Sequence, residues 1–283
     1  MSKDKLLLTI LFFFLPFSLM LGLSILPTVY SIYLSFFRGM MENFVGFNNY
    51  LYLPRDQRFV DAIQVTFKFT AITVVSQTII GLILAYTLFQ PEARYKSVWQ
   101  TLFILPLAIP PVVAGVMFKI LYHPSFGPSG FLSLLGISPP LWLEDPNLAL
   151  FSVSIINIWM WTPFTFLVFY TGLRAIPSEI IESASIDGAS GLTTFTKIVY
   201  PHLKTLILVI IIFRTMENIL AFDEIMGSTA GGPGFTTTTI AMYVYKIAFK
   251  SWDLGYASSI STVLFVIIIA FIILSIKLAY LRE

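Results

Sequence analysis

The stretch LRAIPSEIIESASIDGASGLTTFTKIVYP, from Leu173 to Pro201, lies between two long apolar runs and carries the punctuation of two short helices. Pro177 suits the first position of a helix, because its missing N–H would have no partner there. Gly188 suits the left-handed residue that ends a helix, and Ser190 suits the cap of the next one. Pro201 removes a backbone donor and should stop the second helix. The stretch therefore predicts two short helices that meet at a sharp angle and fold against each other.

This segment, here called the 174–204 loop, also carries apolar side chains on helices outside the long apolar runs. A solvated connector is usually polar, whereas exposed apolar surface of this kind normally has a partner. The pattern favours docking to another protein and leaves open a loop that packs only on itself. The apolar residues are Ile180, Ile181, Ala184, Ile186, Phe195, Ile198 and Val199.

The 174–204 loop resembles the EAA loop of the membrane subunits of ATP-binding-cassette (ABC) importers. Two departures from the family pattern are Ser183, in place of the usual second alanine, and Tyr200, in place of the leucine before Pro201. In that family the loop is a cytoplasmic coupling helix that sits in a cleft of the ATPase subunit, so the resemblance implies the same docking here. The residues expected to couple this chain to an ATPase are Glu182, Ser183, Ala184, Asp187, Gly188, Ala189, Phe195 and Pro201.

The composition is that of an integral membrane protein. Hydrophobic residues make up 57% of the chain and charged residues only 11%, which excludes a water-soluble globular domain. The net charge of +2 belongs to short loops and is no sign of nucleic-acid binding. The chain has no cysteine, which excludes disulfides, thiolate metal sites and cysteine nucleophiles. The two histidines, His123 and His202, are isolated, so no metal site is predicted.

Six apolar runs are long enough to cross the hydrocarbon core of a bilayer. The first is far longer than a signal-peptide core and has no cleavage site after it. We therefore expect an all-α integral membrane protein with six transmembrane helices and a single permease domain over residues 1–283, with its core at 64–283. The resemblance implies the type I ABC importer permease fold. The predicted spans are Leu6–Phe37, Gln64–Phe89, Val98–Tyr122, Leu148–Leu173, Leu203–Met226 and Ala257–Tyr280.

The distribution of Lys and Arg predicts the orientation, because these residues are in excess on the cytoplasmic side. With the N-terminus inside, nine of them fall in inner segments and five in outer segments, so both termini and the 174–204 loop are expected in the cytoplasm. The resemblance implies the plasma membrane of a prokaryote. The inner residues are Lys3, Lys5, Arg94, Lys96, Arg174, Lys197, Lys204, Lys277 and Arg282; the outer ones are Arg38, Arg55, Arg58, Lys246 and Lys250.

The third predicted span contains Pro106, Pro110 and Pro111, each of which removes a backbone donor. A break in a lipid-facing helix would leave carbonyl groups without partners, so this segment should face protein or a water-lined cavity. The prolines fit a kink that only shapes packing and fit a gating hinge equally well.

The fourth predicted span carries Asn157, Trp161 and Phe164, whose spacings of four and three residues place them on one helix face. An amide beside aromatic rings suits a sugar, because the amide bonds hydroxyl groups and the rings cover C–H faces. Ordinary packing between helices explains the same spacing. In the carbohydrate branch of the resembled permeases, an Asn-x-Trp-x-x-x-Pro motif occurs here, and matching residues line the transport pathway. Trp161 stands where a small residue is common, which implies a smaller or differently shaped pocket.

The fifth predicted span places Arg214, Glu217, Asn218, Asp223 and Glu224 within one apolar helix. Ionisable groups at that depth normally face a bundle interior or a wet cavity. The first three share a face, and an Arg214–Glu217 pair would offset part of the desolvation penalty. The pair is either purely structural or part of a pathway in which Glu217 orients the arginine. Resemblance to the maltose-type permeases places positions 214 and 218 in the pathway. For Asp223 and Glu224, which lie nearer the outer end of the span, we expect a gating or interface role.

The turn from Thr229 to Gly234 is irregular because of its glycines and proline. No Gly-Lys-Ser/Thr follows it, so it is not a phosphate loop. We therefore expect no enzyme activity and no cofactor on this chain, with ATP and Mg bound by a partner ATPase. This turn belongs to the region, residues 157–260, that resembles carbohydrate importers.

These patterns predict the transmembrane subunit of a binding-protein-dependent ABC importer for a sugar or sugar-like solute. The expected partners are a second permease subunit, by resemblance a paralogue, two ATPase subunits, an extracellular or periplasmic solute-binding protein and the lipid bilayer, with no nucleic acid. The solute is alternatively a polyol, a glycerol phosphodiester or another small osmolyte, and Arg214 leaves room for an anion.

Two other classes compete with this interpretation. An ion-coupled secondary transporter would use the fifth-span charges for coupling, but such folds usually contain internal repeats, which are not seen here. A membrane scaffold without transport activity would leave those charges unexplained.

Overall fold

The computed structural model describes residues 3–90 and 93–280, and most of its regular structure is helical. Two-residue strands and short helices connect the longer helices. The elements in the first half are α1 (Lys3–Leu34), β1 (Phe37–Arg38), β2 (Asn43–Phe44), α2 (Asn48–Tyr52), α3 (Gln57–Phe89), α4 (Lys96–Ile104), α5 (Pro111–Leu121) and α6 (Gly127–Leu134).

The second half begins with a long helix and ends with another. Its elements are α7 (Ala149–Arg174), α8 (Ser178–Ile186), α9 (Gly191–Thr194), α10 (Tyr200–Ile219), α11 (Asp223–Ser228), α12 (Ile240–Tyr245) and α13 (Leu254–Tyr280). A π-helical segment, Phe195–Val199, joins α9 to α10, and a second one, Lys246–Lys250, follows α12.

The number of membrane-spanning segments agrees with the prediction. Within residues 3–90 and 93–280, five helices are long and apolar enough to cross a membrane, and a bent pair, Lys96–Ala108 with Pro111–Leu121, makes a sixth when it is counted as one span. An all-α membrane fold with six transmembrane helices is therefore confirmed, with the addition of a small antiparallel pairing of β1 with β2.

The predicted break in the third span is confirmed. The chain bends by 99° between the two helices of the pair. The sequence explains the position, because Pro106 lies in a 3₁₀ turn, Leu105–Ala108, and Pro111 begins α5. Ile109 is extended between them, as expected for a residue before proline.

The boundaries predicted for the fifth span, Leu203–Met226, are wrong at both ends. The helix runs without interruption from Gly191 to Ile219. Pro201 does not stop it, so the second of the two predicted short helices is instead the start of this span. The physical reason is the π-helical segment that precedes the proline. There Tyr200 N–H bonds to Phe195 O, so the hydrogen-bond pattern has already shifted from the α-helical one where Pro201 has no N–H to donate.

The chain forms two compact units. The first comprises the residues up to Gln57 together with Val244–Phe271, and the second comprises Arg58–Tyr243 together with the residues from Ile272 onward.

In the first unit, the carboxylate of Asp253 ties the short strands to the start of α13. Its Oδ1 accepts hydrogen bonds from Gly39 N at 2.9 Å and from Tyr256 N at 3.0 Å. The hydroxyl of Tyr256 donates to Asp56 Oδ2 at 2.6 Å. These side-chain bonds join segments about 200 residues apart in sequence.

In the second unit, α5 and α11 touch through two glycines. A Cβ atom on Gly115 would lie 2.5 Å from Glu224 O, and one on Gly227 would lie 2.3 Å from Val112 O. Real Cβ atoms do not approach backbone oxygens so closely. The lack of side chains at these two positions therefore allows the broken third span to lie directly against α11.

We expect Gly227→Val to destabilise the protein, because its Cβ would collide with a backbone oxygen that cannot move alone. Overpacking of this kind costs about 1–3 kcal/mol. The measurement is the thermal unfolding midpoint of the purified chain in detergent. Gly22→Val in α1 is the control, since nothing lies within 4 Å of its Cβ. Equal midpoints for the two variants would contradict the close contact of α5 with α11.

Candidate functional site

A set of polar side chains is buried inside the second unit, contributed by four helices. The fractional exposure of each of these residues is between 0% and 4%. Polar groups at such positions are normally hydrogen-bonded, and those in membrane spans usually mark functional positions. The set consists of Gln77 on α3, Asn157 on α7, Arg214 and Asn218 on α10, and Glu224 on α11.

Hydrogen bonds join these side chains into one network. Asn157 Nδ2 donates to Glu224 Oε1 at 2.6 Å, and Gln77 Nε2 donates to Asn157 Oδ1 at 2.7 Å. Arg214 Nε then donates to Gln77 Oε1 at 2.9 Å. The network therefore crosses the unit from α11 to α10 through two amides. Contiguous hydrogen bonds thus connect Glu224 at one end with Arg214 at the other.

The predicted pair of Arg214 with Glu217 is confirmed. Arg214 Nη1 donates to Glu217 Oε2, and Arg214 Nη2 lies 3.4 Å from Asn218 Oδ1. The Trp161 ring lies 4.4 Å from the guanidinium carbon, in the geometry of a cation–π interaction. The guanidinium is therefore enclosed by the carboxylate, two amides and an indole.

Not all of the predicted pathway residues lie at the polar network. Asn157, Trp161, Arg214, Glu217 and Asn218 come together around the network, whereas Phe164 stacks near Phe213, with ring centroids 5.3 Å apart. Both ends of the Asn157 amide have partners within the chain, so this amide is not an open hydrogen-bonding group. Asn218 Nδ2 is buried without a hydrogen-bond partner in the part of the chain that the structure describes.

Asp223 and Glu224 do not lie in the fifth span as predicted. That span ends at Ile219, and the two acids form the first turn of the separate helix α11. Carboxylates are favourable at a helix N-terminus, where backbone N–H groups point outward, which explains a new helix start at this position. Glu224 faces Asn157 and is buried, whereas Asp223 is exposed.

Gln77 was missed by the sequence interpretation. It is fully buried on α3 and is the residue that links the fourth-span amide to the fifth-span arginine. The available signal was an amide near the middle of a long, mostly apolar span, because such a group is costly in a membrane unless it has a partner.

The turn after α11 is irregular, as predicted, and buried threonines hold it in place. Thr238 Oγ1 donates to Gly231 O at 2.7 Å, and Thr237 Oγ1 donates to Gly232 O at 2.7 Å. Thr239 Oγ1 donates to Ala221 O at 2.8 Å and so fixes the segment between α10 and α11.

The predicted caps of the 174–204 loop are confirmed. Gly188 has a φ of +73°, and Ala189 N donates to Ala184 O at 2.9 Å, which together end α8 in a Schellman motif. Ser190 Oγ accepts from Thr193 N at 3.3 Å and caps α9.

The apolar side chains of the 174–204 loop divide into an inner and an outer set. Val199 is fully buried, and Ile181, Phe195 and Ile198 pack against the same core cluster. Ile186, in contrast, is 86% exposed. The loop is thus held in place by packing of its inner face, while Ile186 remains exposed on its outer face; docking of that outer face to another protein stays a prediction.

The polar residues of the predicted coupling set lie mostly on this outer side. Glu182, Ser183, Asp187 and Gly188 are exposed, as is Pro201. Ala184, Ala189 and Phe195 are half-buried. A cleft of about 410 Å³ opens beside the loop, and its lining includes Tyr86, Gln90, Lys96, Arg174, Ile181 and Glu182.

Comparison with protein families gives a match over most of the chain. Residues 77–281 match the family described as "Binding-protein-dependent transport system inner membrane component". This range contains the whole polar network and the 174–204 loop.

Individual proteins are similar over nearly their full length. The trehalose/maltose transport system permease protein MalF of Thermococcus litoralis is 34% identical over 264 residues, which cover 92% of this chain and 89% of that protein. The sulfoquinovosyl glycerol transport system permease protein SmoG of Agrobacterium fabrum is 34% identical over 257 residues, with 88% and 83% covered.

Among solved structures, a chain of a bacterial alginate ABC transporter, crystallised in complex with an alginate pentasaccharide-bound periplasmic protein, has the same fold. The TM-score is 0.84 at 21% identity, with 96% of this chain and 93% of that chain covered.

Proposed function

Because this chain belongs to the family of binding-protein-dependent transport system inner membrane components, we propose that it forms half of the translocation pathway of an ABC importer for a sugar or sugar-like solute. The family consists of multi-pass membrane permeases, so the chain is a transport subunit and not an enzyme. The observation that carries the proposal is the exposed, Gly-capped helix α8 of the 174–204 loop, directly beside the spans that hold the polar network.

In this proposal, ATP hydrolysis on a separate subunit drives transport by moving the 174–204 loop. The chain binds no nucleotide, and ATP with Mg is hydrolysed on two separate ATPase subunits, one of which receives α8 in its cleft. The exposed Ile186 and the polar residues around Gly188 form the docking face. Both termini and this loop lie in the cytoplasm, where ATP is available.

The movement would reach the pathway through a continuous helix. The segment Gly191–Ile219 begins in the 174–204 loop and ends beside the polar network, so a displacement of the loop is transmitted to Arg214 and its partners. Nucleotide and solute then shift the equilibrium between inward-facing and outward-facing states.

A complete pathway needs a second permease subunit, which the proposal takes to be a paralogue of this chain. A periplasmic or extracellular binding protein delivers the solute. Support for the binding protein comes from the family description and from the similar transporter that was crystallised with a periplasmic protein.

The solute is proposed to be a carbohydrate because similar proteins are named for trehalose/maltose and for sulfoquinovosyl glycerol. The first of these solutes is neutral and the second carries a sulfonate, so similarity alone leaves the charge of the solute open. A polyol, a glycerol phosphodiester or another osmolyte is the alternative within the same class. An ion-coupled secondary transporter is disfavoured by the family match.

The direct test is uptake by proteoliposomes that contain this chain assembled with its partner permease and ATPase subunits. We expect uptake of a radiolabelled sugar to require ATP and the binding protein. Uptake driven by a proton or sodium gradient without ATP would contradict the proposal.

We expect Trp161→Ala to lower uptake and to change solute preference, because the indole covers Arg214 at 4.4 Å. A desolvated cation–π contact contributes about 2 kcal/mol. The measurement is the kinetics of ATP-dependent uptake for several sugars. Trp99→Ala is the matched control, since Trp99 is exposed and lies outside the network. Wild-type kinetics in the Trp161 variant would remove this residue from the pathway.

A further inference from the structure

We propose that the Glu217 carboxylate, and not the Arg214 guanidinium, is the charged group that this chain presents to the solute. It follows that the pathway takes neutral or cationic hydroxylated solutes and disfavours anionic ones. This inference rests on the proposed function and reverses the roles expected for the two residues, so that Arg214 is a positioning residue for Glu217.

Each nitrogen of the Arg214 guanidinium already has a partner within the chain. Its Nε, Nη1 and Nη2 atoms are directed at Gln77, Glu217 and Asn218, and the ring of Trp161 covers its face. The residue is only 1% exposed. An anionic solute would have to displace a carboxylate and two amides in order to reach this cation.

Glu217, in contrast, is accessible. Its side chain is 37% exposed, and only one carboxylate oxygen, Oε2, is used by Arg214. The other oxygen has no partner among residues 3–90 and 93–280. An ionised carboxylate accepts hydrogen bonds at both oxygens, so the free oxygen is able to accept a solute hydroxyl or an ammonium group.

The helix face that carries Glu217 is not covered by the rest of the described chain. Val209 and Phe213 on α10, and Leu220 directly after it, are exposed at spacings that place them on the same face as Glu217. A carboxylate in a membrane span normally faces a bundle interior or a water-filled cavity. This face of α10 is therefore assigned to the pathway.

Aromatic surface lies next to the carboxylate. Phe213 is four residues before Glu217 and 43% exposed, and its ring is 5.3 Å from that of Phe164. Aromatic faces cover the C–H faces of a sugar ring, while a carboxylate binds its hydroxyl groups. The combination matches a hydroxylated ring and provides no cation for an acidic substituent.

The pairing with Arg214 explains how the carboxylate is held in a fixed position at this depth. The buried guanidinium offsets its desolvation and holds one oxygen, which leaves the other oriented outward. A negatively charged solute would approach a group of like charge while the neighbouring cation remains enclosed. Repulsion between these like charges is the basis of the proposed selectivity.

The test compares neutral solutes with related anionic ones, using the transporter assembled with its own partner subunits and binding protein. The pairs are maltose with maltobionate, methyl glucoside with methyl glucuronide, and glycerol with glycerol-3-phosphate. We expect the wild type to import a neutral member in preference to its anionic counterpart. Glu217→Gln should lower the neutral-to-anionic uptake ratio by about tenfold, which corresponds to 1.4 kcal/mol.

The binding protein has its own preference, but it is the same for the wild type and the variant and therefore cancels in this comparison. Glu144→Gln is the matched control, because it removes one negative charge from an exposed residue outside the spans. An unchanged ratio in Glu217→Gln would overturn the charge assignment alone. Loss of all ATP-dependent uptake in the wild type would overturn the proposed function as well.

Discussion

Gly188→Trp is expected to abolish ATP-coupled uptake while the protein still inserts into the membrane. Gly188 has a φ of +73°, and no atom lies within 4 Å of the position of its Cβ. A side chain there adds strain of about 1–2 kcal/mol. The indole would also project from the end of α8, into the surface that we propose docks to the ATPase, where overpacking costs a further 1–3 kcal/mol or so. The strain lowers the stability of the chain, whereas the clash at the docking surface lowers coupled uptake, by up to about 100-fold.

Gly136→Trp separates docking from backbone strain. Gly136 also has a φ of +73° and free space around its Cβ, but it precedes α7, whereas the 174–204 loop follows that helix. Both variants carry the same strain and the same bulk. Co-purification of the ATPase subunits should be lost in Gly188→Trp and retained in Gly136→Trp. Equal retention in both would argue against docking through the loop.

The second large effect is expected from Arg214→Met, which should strongly destabilise the protein. Removal of the guanidinium leaves the Glu217 carboxylate without its counter-charge and takes a hydrogen-bond donor from the buried Gln77. Breaking a fully buried pair costs about 3–5 kcal/mol, but Glu217 is 37% exposed and partly solvated, so we expect a loss of about 1–3 kcal/mol. The measurement is thermal unfolding of the purified chain in detergent.

The double variant Arg214→Met with Glu217→Gln provides the internal control. It removes both charges, so part of the lost stability should return. Lys204→Met removes an exposed cation from the same helix and should leave the unfolding midpoint unchanged. If Arg214→Met behaves like Lys204→Met, the network does not hold the helices together.

Local sequence signals predicted the helix ends best. Gly188 and Ser190 act through their own backbone or immediate neighbours, and the structure confirms both. The break in the third span follows in the same way from its prolines. These features depend on residues a few positions apart, which is the range over which a single sequence is informative.

The sequence did not predict the two ends of the fifth span correctly, because other residues override the local signals there. Pro201 indicates a helix end, but the preceding π-helical segment absorbs the missing donor, and a sequence contains no clear sign of such a segment. The end of the fifth span at Ile219 has neither proline nor glycine to mark it. There the chain leaves the helix because Glu224 binds Asn157 and Thr239 binds Ala221 O, and both contacts are distant in sequence.

The candidate site was only partly predictable for the same reason. Arg214, Glu217 and Asn218 are within one helical turn, so their common face and the ion pair follow from spacing. Gln77 is 137 residues from Arg214, and no local pattern connects them. The exposure of Glu217 beside an enclosed arginine depends on this distant contact, which is why the roles of the two residues appear only in three dimensions.

The central claim is that force from a separate ATPase enters this chain through the 174–204 loop. Because the chain has no cysteine, Ile186→Cys provides a single reactive position on the outer face of that loop. A photoreactive maleimide attached there in the assembled transporter should cross-link to the ATPase subunit, and the same reagent at Ser133→Cys on α6 should not. A cross-link from Ser133 but not from Ile186, or none from Ile186 in an active complex, would contradict the account.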